Sequence, residues 1–203
     1  MTNYLVVGIL WIMGDDSAKV RILEAAERLC QTRGFNGFSY RDLAAIVGIR
    51  SASVHYHFPT KADLGKALIV AYRHKIESVI GDIERKESTA TGRLKRFVGM
   101  LREVLRDDNR LCLCGILAAE SGTLSEDMKG ELRRFFDGCE EWLSKELGAG
   151  RSRGEFAFEG ASAVAARAMM SALEGAMITS RAFGDDKRLS ESAQWMLAQL
   201  APA

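Results

Sequence analysis

Apolar residues recur along most of the chain with the three-to-four-residue spacing of amphipathic helices. In the first such segment, which begins near Ser17, Val20, Leu23, Ala26 and Leu29 fall on one helical face. The same spacing predicts further helices over residues about 40–47, 51–57, 61–87, 94–106, 111–121, 126–147, 159–181 and 187–200. No run of four to eight residues alternates as a strand would, so we predict an all-α fold.

Signals for helix ends punctuate this pattern. Ser39-Tyr40-Arg41-Asp42 and Thr60-Lys61-Ala62-Asp63 each place a hydroxyl three residues before an acid, the capping-box arrangement at a helix start. Gly48 is a stop signal for the helix before it, and Pro59 ends the next one, because the residue before a proline avoids helical geometry. The stretch Gly148 to Gly154 is the most loop-like in the chain.

The two short helices flanking Val47-Gly48-Ile49 have the arrangement of a helix-turn-helix. In that motif the second helix enters the major groove of DNA. Here it reads Arg50-Ser51-Ala52-Ser53-Val54-His55-Tyr56-His57, whose side chains are of types that hydrogen-bond to base edges and phosphates. The alternative is a connector helix in which His55 and His57 are ordinary surface or packing residues.

The composition is that of an ordinary globular protein with a net charge of +1, but the charges are unevenly distributed along the chain. Residues 1–75 carry ten basic and six acidic side chains, a local excess of +4, and residues 76–203 carry 18 and 21, a local excess of −3. A basic N-terminal part beside an acidic remainder suits a modular DNA-binding protein.

The order and spacing of Gly34-Phe35, Ser39 to Ala44, Val47-Gly48-Ile49 and Val54 to Leu64 resemble the signature of the TetR/AcrR family. The resemblance covers about residues 17–64. It implies a homodimeric repressor with a helix-turn-helix DNA-binding domain over residues 14–62. A larger domain over 63–203 would bind an inducer and dimerise, and the operator would be a pseudo-palindrome in double-stranded DNA. Four cysteines without a secretion signal separately indicate a reduced, cytoplasmic protein.

The resemblance also implies roles for individual residues. Residues matching the family's base-contacting positions are Arg41, Arg50, Ser51 and Ser53, and those matching positions at phosphates and flanking bases are His55, Tyr56, His57 and Lys61. The family usually has tyrosine where this chain has His55, although histidine can also donate a hydrogen bond to a phosphate. We expect Val54 and Phe58 to pack against Leu43 and Leu64.

The helix predicted near 159–181 is unusually rich in alanine, which lets helices approach closely. With Trp195, Met196 and Leu200 it could form the dimer interface that the resemblance implies; the alternative is an internal core helix. The small-molecule effector is expected to be apolar or aromatic. Candidate pocket residues are Phe97, Met100, Leu101, Leu105, Leu117, Phe135, Phe136 and Trp142, although apolar stripes usually form core.

Cys112 and Cys114 flank a single residue and follow Arg110. Either they sense oxidants or electrophiles, helped by the nearby guanidinium, or they are small buried apolar residues. The pair lacks the four-ligand set of a structural zinc site, so neither a metal nor a cofactor is predicted.

Residues 1–13 are apolar from Tyr4 onward and contain no basic residue. The run is shorter than the roughly 20 residues of a membrane-spanning helix and lacks the features of a secretory signal. Whether it belongs to the native protein or translation starts at Met13 stays open.

No phosphate-binding loop, Gly-x-Ser-x-Gly or His-Glu-x-x-His motif occurs, so no enzyme is predicted. The main alternative to a DNA-binding regulator is a helical ligand-binding or protein-interaction module that does not bind DNA.

Overall fold

The structure, a computed structural model, describes residues 17–202, and over this range the predicted all-α fold is confirmed. The described helices are α1 (Ser17–Arg33), α2 (Tyr40–Val47), α3 (Ser51–His57), α4 (Lys61–Lys86), α5 (Ala90–Arg106), α6 (Leu113–Ala119), α7 (Glu126–Ser152), α8 (Ser162–Phe183) and α9 (Lys187–Gln199). One 3₁₀ turn, Ser121–Thr123, follows α6. The expectation about residues 1–13 lies outside the described residues.

The helices form two compact units. The first unit contains the described chain up to Val79 together with Leu113–Arg133, and the second contains Ile80–Cys112 and the chain from Arg134 onward. The long helices α4 and α7 each contribute to both. The functional division expected after residue 62 stays a prediction.

In the first unit, α1 packs on α2 and α6, and α2 packs on α3. The faces that meet are the apolar stripes of the sequence, with Ile22, Leu43, Val54 and Leu64 fully buried. Such burial contributes about 1.5–3 kcal/mol per large aliphatic side chain. Phe58 is also buried, as expected for residues that hold α3 in place.

In the second unit, α8 and α9 form a hairpin that α5 packs against. The turn follows Gly184, whose φ of +64° lies in the left-handed region that favours glycine. Arg93 joins α5 to α7, since its Nη1 donates to Glu146 Oε1 and Oε2 at 3.0 and 3.1 Å, and Glu146 is fully buried. Its Nε donates to the carbonyl of Glu87, just after α4, at 2.9 Å.

The expectation of a loop over residues 148–154 is wrong, because α7 continues to Ser152. Gly150 serves close packing there: a Cβ at this position would lie 2.4 Å from the Phe156 ring and 2.9 Å from the Ala90 Cβ. The connection to α8 spans residues 153–161 and is anchored by the buried Phe156. Accordingly α8 begins at Ser162, a few residues later than predicted.

Candidate nucleic-acid interface

The start and end of α2 are fixed by interactions within its own short segment. Ser39 and Asp42 form the predicted capping box: the Ser39 amide donates to Asp42 Oδ2 at 2.7 Å, and the Asp42 amide donates to Ser39 Oγ at 3.4 Å. Hydrogen bonds from the Ser39 side chain and amide hold the pKa of the Asp42 carboxyl below its ordinary value. Gly48 then ends the helix at φ +74°. The turn therefore delivers the chain to α3 in a defined direction.

The helix α3 is held by one buried side chain and presents the others outward. Val54 is its only buried residue, whereas His55 and Tyr56 are exposed, and 82% of Tyr56 is accessible. Arg50 is the N-cap residue, but its side chain makes no capping hydrogen bond. Ser51, Ser53 and His57 are half-buried, and Arg41 on α2 is exposed. A helix with so little of its surface in the core is available for contact with another molecule.

Tyr40 supports α3 in a way that the sequence did not reveal. Its hydroxyl lies 2.9 Å from the carbonyl oxygen of Phe58 and 2.6 Å from that of Thr60, across the turn between α3 and α4. Burial, together with the Asp63 carboxylate, raises the pKa of the Tyr40 hydroxyl to about 12. The ring also meets His55 edge-on, with centroids 4.6 Å apart. Tyr40 therefore fixes the end of α3 and supports the His55 ring.

The ammonium group of Lys61 contacts other residues of the protein and does not extend into solvent. Nζ donates to the carbonyl of Phe38 at 2.6 Å and lies 4.9 and 4.8 Å from the ring centroids of Phe35 and Phe38. Burial lowers the pKa of this ammonium. The predicted phosphate contact would require Nζ to leave these partners, whereas its present position ties the start of α4 to the loop before α2. The predicted capping box at Thr60 and Asp63 is confirmed.

Two basic residues of α1 also belong to this region, although the apolar stripe of α1 gave no sign of it. Lys19 Nζ lies 5.9 Å from the ring centroid of Phe58, the residue after α3. The Arg21 guanidinium donates to the carbonyl of Val47, the last residue of α2. The basic side chains at the start of α1 could have indicated a contact with α2 and α3, but not which carbonyl.

Comparison with known proteins identifies the family of this chain. The model described as "Bacterial regulatory proteins, tetR family" matches residues 22–68. The model described as "Transcriptional regulator LmrA/YxaF-like, C-terminal domain" matches residues 90–194, more than half of the chain. A solved transcriptional regulator of the TetR family from Agrobacterium tumefaciens is 33% identical, with a TM-score of 0.88 over 92% of this chain and 98% of that one. The chain belongs to the TetR family of transcriptional regulators.

Other solved structures agree with this assignment. A TetR transcriptional regulator from Legionella pneumophila is 31% identical, with a TM-score of 0.83 over 93% of this chain and all of that one. The reduced form of E. coli NemR, at 21% identity, shares the fold, with a TM-score of 0.81 over 92% and 98% of the two chains. Among curated proteins there is no match. The TetR family and the Agrobacterium and Legionella proteins are described as transcriptional regulators.

The second unit of this TetR-family protein contains a small apolar pocket. Its volume is about 10 Å³, room for about one water molecule. Its lining residues are Leu94, Phe97, Val98, Leu143, Met169, Leu173, Ala193, Met196 and Leu197.

Of the predicted effector-binding residues, only Phe97 lines this pocket. The Trp142 ring packs on Phe97 with centroids 5.2 Å apart, Leu101, Leu105 and Phe135 are buried, and Met100 and Phe136 are half-buried. Leu117 is buried in the first unit. Of the eight lining residues that were not predicted, five lie on α8 and α9, and the other three are Leu94 and Val98 on α5 and Leu143 on α7. A pattern along one helix does not show which of its apolar residues border a pocket.

Cys112 and Cys114 are both buried thiols, and the structure gives them separate environments. Cys112 precedes α6 and hydrogen-bonds to the carboxyl of Glu174 in the second unit, whereas Cys114 lies in α6 in the first unit. The Arg110 guanidinium, expected to favour a thiolate, donates instead to the carbonyl and carboxylate of Asp107. Oxidant or electrophile sensing by these thiols stays a prediction.

Within residues 17–202, no cluster of histidine, cysteine, aspartate and glutamate side chains is suited to hold a metal ion. None of the described helices combines the length and apolar character needed to cross a membrane.

Proposed function

We propose that this TetR-family regulator is a repressor that binds an operator in double-stranded DNA as a homodimer and is released by a small-molecule effector. The observation that carries the proposal is the exposure of α3, which buries only Val54 and yet is fixed at both ends. The Gly48 turn sets its start, and Tyr40 holds the chain that follows its end. A rigid, polar, exposed helix after a short turn is what reading a major groove requires.

The proposed contacts follow the exposed side of α2 and α3. Arg41, Arg50, Ser51 and Ser53 would meet base edges, where an arginine can recognise guanine through two hydrogen bonds. Residues proposed to meet phosphates and flanking bases are His55, Tyr56, His57 and Lys61. For Lys61 this contact would require Nζ to leave the Phe38 carbonyl, to which it donates at 2.6 Å.

A homodimer through α8 and α9 is supported by the apolar residues exposed there. Four of the six large apolar side chains exposed in the described chain, Val164, Ile178, Phe183 and Trp195, lie on these two helices. Exposed apolar side chains concentrated on one pair of helices are typical of an interaction surface. In a two-fold dimer the two copies of α3 would read half-sites about 34–36 Å apart, and hence a pseudo-palindrome.

The proposed effector is an apolar or aromatic small molecule that binds in the second unit, whose residues all lie within the predicted effector domain, 63–203. The pocket beside Phe97 supports this class, because its lining is apolar. Its small volume means that the lining must move to admit an effector, and Met169 and Met196 are side chains that adapt readily. We place this regulator in the cytoplasm, where it would meet its operator.

DNase footprinting of the promoter regions next to its own gene tests the proposal. We expect the wild type to protect two related half-sites, and the double variant Arg41→Ala, Arg50→Ala to lose this protection. Lys95→Ala is the matched control, because it removes an exposed positive charge from α5 in the second unit. Absence of protection by the folded wild type would favour the module that does not bind DNA. Equal protection by all three proteins would refute the assigned contacts.

A further inference from the structure

The carboxylate of Glu120 binds the loop between α1 and α2, although 84 positions separate it from Asn36. The Phe35 amide donates to Oε1 at 3.0 Å, and the Asn36 amide donates to Oε2 at 3.0 Å. Asn36 Nδ2 donates to the same Oε2 at 2.7 Å and lies 2.9 Å from Thr123 Oγ1. Both oxygens of one carboxylate are therefore used on two consecutive residues of the loop. We call this set of hydrogen bonds the Glu120 clasp.

The loop is shaped to receive this carboxylate. Gly34 has a φ of +84°, and a Cβ at this position would lie 2.3 Å from Glu120 Oε1. A side chain at position 34 would thus be strained in its backbone and would displace the carboxylate. Glycine is the residue that permits both the turn and the close approach.

A second charged side chain holds the other end of the same loop. Lys61 Nζ donates to the carbonyl of Phe38, the residue immediately before the N-cap Ser39 of α2. Residues 35–38 are consequently fixed through their amides by an anion and through a carbonyl by a cation. Hydrogen bonds to charged groups are about twice as strong as those between neutral groups. The loop that sets where α2 begins is therefore held more firmly than a solvent-exposed loop would be.

We propose that Glu120 is a positioning residue for DNA binding, which acts by fixing this loop and thereby the placement of α2 and α3. The inference rests on the proposed function, because it concerns how the reading helix is presented to an operator. It makes the segment after α6 part of the DNA-binding unit, instead of leaving that unit to residues 14–62 alone.

Simple electrostatics predicts the opposite effect of removing Glu120, which makes the proposal testable. An acid in a DNA-binding unit opposes the attraction of the phosphates, so its neutralisation alone should leave DNA binding unchanged or strengthen it. A positioning role requires that neutralisation weaken binding. The sign of the change therefore separates the two explanations.

The experiment compares Glu120→Gln with Glu126→Gln in the full-length protein, using the operator fragment located by footprinting. Both variants remove one negative charge from the same segment, but Glu126 is exposed and pairs with Lys129, three residues along the same helix, at 2.9 Å. Affinity is measured by fluorescence anisotropy over a range of salt concentrations. Hydrogen exchange of the Phe35 and Asn36 amides is followed in parallel, at a temperature where each protein is folded.

We expect Glu120→Gln to bind the operator roughly ten-fold more weakly, with an unchanged salt slope because no phosphate contact is lost. The Phe35 and Asn36 amides should exchange faster in this variant and at the wild-type rate in Glu126→Gln. Glu126→Gln should bind as tightly as the wild type or more tightly. If Glu120→Gln does not fold, Asn36→Ala replaces it, since it removes the side-chain hydrogen bonds and keeps the charge. It too should bind more weakly than the wild type.

Operator binding by the folded Glu120→Gln or Asn36→Ala variant that is as tight as that of the wild type would overturn the positioning role, whatever the amide exchange. Equal weakening by Glu126→Gln would also overturn it, because the loss would then not depend on the clasp. A wild type that binds no promoter fragment would instead overturn the proposed function, and this inference with it.

Discussion

Arg50 is the N-cap residue of α3, but its side chain makes no capping hydrogen bond. Because Arg50 is exposed, its guanidinium is free of the core and can reach a base edge. Arg50→Ala should therefore weaken operator binding by about 1–3 kcal/mol and relax the preference for one base pair in each half-site. Affinities for operators with single base-pair changes measure this, and Lys95→Ala serves as the control. A uniform loss for every operator sequence would instead indicate a phosphate contact.

Individual side chains also show where a sequence stops being informative. The capping boxes at Ser39 and Thr60 were predicted correctly because donor and acceptor lie three residues apart on one local turn. The hydrogen bond from Lys61 to the Phe38 carbonyl was not predicted. A match to a family's phosphate-contacting position does not show which carbonyl of the protein the ammonium contacts. The Glu120 clasp could not be predicted, since its partners are more than 80 residues away.

At the level of elements, α7 shows that glycine can serve packing within a helix as well as a turn. Gly150→Ala should destabilise the protein by about 1–3 kcal/mol, because the new methyl group would overlap the Phe156 ring. Gly138→Ala in the same helix should stabilise it by about 0.5–1 kcal/mol, since a Cβ at that position meets no atom within 4 Å. Urea unfolding measures both. Similar effects of the two substitutions would contradict the close packing at Gly150.

The start of α5 depends on a carboxylate from the chain between α7 and α8. Glu155 accepts hydrogen bonds from the amides of Ala90 and Thr91 at 3.2 and 2.9 Å and from Arg153 Nε at 2.8 Å. Partial burial raises the pKa of Glu155, but these hydrogen bonds outweigh it and lower the pKa from 4.5 to about 2. The ionised form is therefore favoured in the folded protein.

A lowered pKa in the folded state stabilises the protein fully above pH 4.5, and this contribution is lost as the pH falls toward about 2. Glu155→Gln should consequently lower the Tm near neutral pH, and the difference from the wild type should shrink between pH 4.5 and 2. Glu159→Gln, an exposed change in the same connection, is the control. Thermal unfolding at several pH values tests this. A constant difference at every pH would show that Glu155 acts only through packing.

The helices could be predicted where the apolar residues on one face of a helix, and the signals at its ends, were enough to locate it. The apolar stripes and stop signals located the helices to within a few residues, since amphipathic spacing and capping are properties of short segments. They predicted a loop near Gly150, where α7 in fact continues. Glycine is needed there because the Phe156 ring, from another segment, packs against that position. They also identified one pocket residue, Phe97. They missed its neighbours Leu94 and Val98 on α5, Leu143 on α7 and the residues on α8 and α9, because the pocket exists only where these helices meet in the folded unit.

For the whole molecule, the net charge of +1 is an average over unlike parts of the chain. In the proposed function, the excess of +4 over residues 1–75 would attract phosphates to the part of the chain that contains α3, and the acidic remainder would limit non-specific binding elsewhere. A regulator with this distribution must obtain much of its preference for an operator from base contacts. Its affinity for an operator and for random DNA should therefore differ strongly at the same salt concentration.

A salt-dependent titration of the footprinted operator against random DNA of equal length tests the repressor assignment most directly. We expect the wild type to bind the operator at least about 10³-fold more tightly than random DNA near physiological salt. The logarithm of the binding constant should fall linearly with that of the salt concentration for both DNAs. Equal affinity for operator and random DNA, or no measurable binding by the folded protein, would contradict the assignment.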